Sequence, residues 1–125
     1  MQFHEHDSYQ KELSSVCKKQ KQLTVAITDG LAKVKKLLKI HFDPLDPQVA
    51  IPPGKLHRVS GFEIWELWKV EVVLTGTALR PNQWPRMWFA VSGDQIVLLC
   101  IYSHAQDYDN NSVDATAIDR ASDYF

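Results

Sequence analysis

The chain has 125 residues, enough for one domain with little room for a second, and its 45% hydrophobic and 23% charged residues are ordinary globular usage. Two cysteines, Cys17 and Cys100, are too few for a disulfide framework and read as reduced thiols of a cytoplasmic protein. The net charge of −1 hides an asymmetry: residues 11–39 carry eight lysines against Glu12 and Asp29, whereas residues 105–125 carry five aspartates against Arg120.

Residues 1–6 alternate and predict a short first strand. The polar stretch 2–7 excludes a signal peptide, and the longest apolar stretch, 95–102, is too short to cross a bilayer. Asp7 or Ser8 offers a cap for a helix over 8–20, with Tyr9, Leu13 and Val16 on one face. Leu23, Ile27, Leu31, Val34 and Leu38 predict a second helix over 24–40, in which Gly30 marks a bend or a close contact with the first helix.

The prolines at 44, 47, 52 and 53 make 41–57 a loop. Residues 62–74, rich in Trp, Val, Ile and Leu, predict a strand. Residues 75–85 form a connection, and 86–91 a strand. Ser92-Gly93-Asp94 is a tight turn, and 95–103 is the partner strand, whose unbroken apolar run from Ile96 to Ile101 suits burial on both faces. Asn111 or Ser112 caps a last helix ending near Tyr124. The order is β-α-α-β-β-β-α. It predicts one α+β domain over 1–125, an antiparallel sheet of about four strands with helices packed on one face.

Local patterns sharpen this. Lys55-Leu-His-Arg-Val-Ser-Gly-Phe62 leads into Ile64-Trp-Glu-Leu67, and Arg86-Met-Trp-Phe-Ala-Val-Ser-Gly-Asp-Gln-Ile-Val-Leu-Leu99 forms a hairpin. In order and pattern these segments resemble the RelE/ParE-type toxins of bacterial type II toxin–antitoxin pairs. The resemblance covers most of 55–104 and, more loosely, 1–40. It implies a RelE-like fold with an N-terminal helical hairpin and a C-terminal helix. It also implies a toxin that cuts messenger RNA on the ribosome by attack of the 2′-hydroxyl on the adjacent phosphate, without metal or other cofactor.

That chemistry requires a base, a cation for the phosphorane and a proton donor. The resemblance assigns the cation to Arg86, acid–base work to His104, and stacking or leaving-group assistance to Tyr108. It makes Arg80, Lys55 and Arg58 RNA-binding, and Trp84, in a loop, the best exposed stacking candidate. It implies a cognate antitoxin, the ribosome and mRNA as partners, and a homodimer or toxin–antitoxin hetero-oligomer as the assembly.

Many nuclease members carry a basic pair after the fourth strand, where this chain reads Ala105-Gln106-Asp107. That departure leaves two alternatives open: a ParE-like inhibitor of DNA gyrase that acts without chemistry, and an inactive relative that only holds a partner. His4 and His6 share a strand face but have no third ligand beside them, and the aspartates of 107–119 lack the spacing of a calcium loop, so no metal site is expected.

Overall fold

A computed structural model describes residues 1–103 and 109–125 of the chain. The elements are β1 (Gln2–Glu5), α1 (Asp7–Lys19), α2 (Thr24–His41), β2 (Leu56–Gly61), β3 (Glu66–Glu71), β4 (Arg86–Ser92), β5 (Gln95–Tyr102) and α3 (Asn110–Ala121), with single 3₁₀ turns at Lys21–Leu23 and Pro81–Gln83. The fold is α+β.

The sheet has five strands in the order β1-β5-β4-β3-β2, one more than expected. It is mixed: β2 to β5 form an antiparallel meander, and β1 lies parallel to β5 with Phe3 opposite Ile96. The additional strand is β2, which the polar look of 55–61 conceals. Only Leu56 of its six residues is buried, as suits an edge strand. The strand expected over 62–74 shortens to 66–71 because residues 62–65 close a turn, the Phe62 amide donating to the Trp65 carbonyl at 2.8 Å.

Helices cover both faces of the sheet, not one. On one side α1 and α2 bury Tyr9, Val16, Ile27, Val34 and Leu38 against Val70, Met87, Phe89, Ile96, Leu98 and Ile101. On the other, Val113, Ala117 and Ala121 of α3 pack on Leu67, Trp88, Ala90, Val97, Leu99 and Cys100. Strand alternation explains the division, since successive residues of β4 serve opposite cores. The central strand β5, covered by both layers, has Ile96 through Ile101 wholly buried. The small residues Ala117 and Ala121 let α3 approach the sheet closely, and the Trp88 Nε1–H donates to the Asp114 carboxylate at 2.7 Å.

Three local details differ from the sequence reading. The first cap is His6, whose Nδ1 accepts from the Ser8 amide at 3.1 Å. The last is Asp109, which accepts from the Asn111 amide. Gly30 faces the chain after β3 rather than α1: a Cβ there would lie 2.7 Å from the Val73 carbonyl oxygen. Gly93 does take positive φ, 56°, in the β4–β5 turn, a conformation that a side chain disfavours.

Candidate nucleic-acid interface

The α3 face of the sheet is only partly covered. Helix α3 packs on β4 and β5. Beyond it, at the end of the sheet where β4 begins and β3 ends, a shallow pocket of about 330 Å³ is lined by His57, Arg58, Val59, Lys69 and Arg86. Strand register brings these residues together. His57 pairs with Lys69, Lys69 with Trp88, and Glu71 with Arg86. Residues opposite one another on adjacent strands carry their Cβ atoms about 5 Å apart on the same face. Val59, two residues after His57 on the same strand, lies on this side by alternation and packs with the α3-side core.

The electrostatics follow from that list. Lys69, Arg86 and the His57 imidazole gather on the α3 side, while Arg58, at the pocket edge, is turned to Glu66. The Arg86 Nη2 stands 3.9 Å from Glu71 Oε1, too long for a hydrogen bond but within ion-pair range. The Lys69 ammonium lies 5.9 Å from the centre of the Trp88 ring. Trp88 is itself wholly buried beneath Lys69 in the α3-side core. The Arg58 Nε donates to the Glu66 carboxylate at 2.8 Å at the exposed edge.

Beside the pocket, Tyr102 of β5 pairs with Arg86 and meets Trp88 edge-on, ring centroids 6.1 Å apart. Burial, together with a hydrogen bond to Glu12, pushes its phenol above the ordinary range.

The residues singled out from the sequence divide into groups. Arg86 and Arg58 line this pocket. Lys55 and Trp84 do not; they lie toward α2, the Lys55 ammonium standing 5.2 Å over the Trp84 ring. Trp84 is half-buried, and its Nε1 is shielded from solvent without a partner among the described residues. That environment suits packing better than the exposed stacking role expected for it. Arg80 is exposed in the connection, where its amide donates to Gln83 Oε1. His104 and Tyr108 lie outside the described residues.

His57, Lys69 and Glu71 escaped the sequence reading. His57 stood inside a quoted motif without a role, and Lys69 looked like one polar residue in an apolar strand. Their alternation with Leu67 on β3 was the available signal, because it places Lys69 and Glu71 on one face. Among the described residues, no three His, Cys, Asp or Glu side chains come together as a metal site, and no helix is long and apolar enough to cross a membrane. No family model, curated protein or solved structure matches the chain.

Proposed function

We propose that the chain binds the backbone of single-stranded RNA on the open part of the α3 face and cleaves it without metal, as the toxin of a toxin–antitoxin pair acting on messenger RNA at the ribosome. The observation that carries this reading is the gathering of His57, Lys69 and Arg86 at one shallow pocket, with Arg58 at its edge and Glu71 opposite Arg86 in the strand register. A planar guanidinium is suited to two phosphate oxygens at once, and a nearby lysine adds a point charge.

Cleavage by internal attack breaks the phosphorus–5′-oxygen bond as the 2′-oxygen bonds to phosphorus. The products are a 2′,3′-cyclic phosphate and a 5′-hydroxyl. Arg86 stabilises the charge that develops on the phosphorane. Glu71, beside it, takes the proton of the 2′-hydroxyl, and an imidazole supplies the proton to the departing oxygen. His57 lines the pocket. His104, to which the resemblance assigns acid–base work, lies outside the described residues and is the other candidate donor.

The test is addition of purified protein to a translation extract containing a metal-independent readout of transcript ends. Wild type should cut messenger RNA to 5′-hydroxyl products, and Arg86→Gln should abolish cutting. Intact transcripts with wild type would refute the nuclease reading. Gyrase-dependent DNA damage in their place would favour the ParE-like alternative.

A further inference from the structure

At the other end of the β2–β3 hairpin three aromatic rings form a continuous stack. Phe62 lies on Trp65 with ring centroids 4.3 Å apart and planes inclined by 13°. Trp65 lies on Phe125 at 5.7 Å and 14°. Trp65 and Phe125 belong to the core on the α3 side, which places the stack on the same side of the sheet as the basic pocket. Val59 joins the two: it lines the pocket and packs with the same core. Phe62, at one end of the stack, is 41% exposed, and Ile64 beside it is 62% exposed.

We infer that Phe62 is a stacking platform for one base of the RNA strand whose phosphates occupy the pocket of His57, Lys69 and Arg86. This deepens the RNA reading above and rests on it. The occupant is argued from the continuity of the platform with a cationic surface. Cations that track a backbone beside aromatic rings that accept bases are the two parts of a single-strand binding groove.

Lys69 stands four residue steps beyond Trp65 along the extended chain of β3, a distance of about 13 Å. The platform therefore serves a nucleotide removed from the one held by Arg86, not the same one. Glu63, adjacent to Phe62, disfavours a phosphate there, so the hairpin tip receives the base and the pocket receives the backbone. Trp65, held between two rings, keeps Phe62 in a fixed plane, so little ordering is required when a base arrives.

The experiment uses the full chain and a ten-nucleotide 2′-O-methyl RNA, which lacks the attacking hydroxyl, with 2-aminopurine at successive positions. Stacking quenches 2-aminopurine. Wild type should bind with quenching at one position outside the central step. Phe62→Leu should weaken binding roughly fivefold or more and remove that quenching, while Phe62→Tyr keeps both. If Phe62→Leu binds and quenches like wild type while Arg86→Gln binds weakly, the platform is refuted and the RNA reading stands. If wild type does not bind the oligonucleotide, the RNA reading falls and the platform with it.

Discussion

Glu12 on α1 and Arg120 on α3 meet around the edge of β5, with Arg120 Nη1 2.7 Å from Glu12 Oε1 and Nη2 3.0 Å from Oε2. The two helices belong to opposite layers, and the pair joins them where β1 stops. The last ladder bond from that side is the His6 amide to the Leu98 carbonyl. Beyond it a bulge in β5 sets Leu99 and Cys100 toward the same face, and the edge groups need other partners. Arg120 donates to the Leu99 carbonyl at 2.7 Å, and Glu12 accepts from the Ile101 amide at 3.3 Å. The pair thus replaces a missing stretch of β1.

Removing one member leaves a charge and a strand edge unpaired. Arg120→Met should lower the free energy of unfolding by about 2–4 kcal/mol, somewhat below a wholly buried pair because both side chains keep some solvent contact. The double variant Glu12→Leu with Arg120→Met should recover part of that loss. Urea denaturation of the four proteins in a double-mutant cycle checks both statements.

Gly30→Ala tests the close approach of α2 to the chain after β3. In a free helix alanine is favoured over glycine by about 1 kcal/mol. Here the new methyl would meet the Val73 carbonyl oxygen at 2.7 Å and Val72 Cγ1 at 3.0 Å. Backbone cannot yield as a flexible side chain does, so the variant should be destabilised by about 1–3 kcal/mol. A raised denaturation midpoint would contradict this packing.

His41 makes stability depend on pH. Its Nδ1 accepts from the Ala50 amide at 3.2 Å and the Ile51 amide at 3.4 Å, which holds the loop after α2 to the helix end. Partial burial lowers its pKa below the ordinary value near 6.5. The unfolded chain therefore binds the proton first. The contribution of His41 is fully present above pH 6.5 and declines as pH falls toward the lowered folded value. Thermal melts between pH 5 and 8 should show that decline, and His41→Gln should flatten it.

Cys100 should be inert in the folded protein. It is wholly buried, and burial pushes its thiol up to about 12 despite the Arg120 guanidinium 3.3 Å from its sulfur. The thiolate is the reactive form, so a disulfide reagent at pH 8 should label Cys100 only as the chain unfolds. Labelling of Cys100 at the rate of a free thiol in native buffer would contradict the packing of β5 between two layers.

Elements whose burial is uniform were legible in the sequence. The run Ile96 to Ile101 suits a covered strand, and the spacing of Ile27, Leu31, Val34 and Leu38 traces one helical face. Elements defined by their neighbours were not. β2 is an exposed edge with one buried residue, Leu56, and its pairing with β3 includes a bulge that no local pattern announces. The parallel pairing of β1 with β5 joins residues more than ninety positions apart. α3 buries only Val113, Ala117 and Ala121, so its placement on the second face depends on small residues that carry little hydrophobic signal.

The same division holds at the site. Arg86 stood out because it opens a recognisable hairpin. His57 and Lys69 did not, because only the cross-strand register sets them side by side.

The most direct test of the open basic face is an NMR titration of labelled protein with a short 2′-O-methyl RNA. The proposed site requires the largest amide shifts at 57–59, 69–71 and 86. The chain offers a rival cationic surface, the lysines of α1 and α2. Largest shifts at Lys11, Lys18 and Lys19, or along 33–39, would place the nucleic acid on the opposite layer and contradict the account.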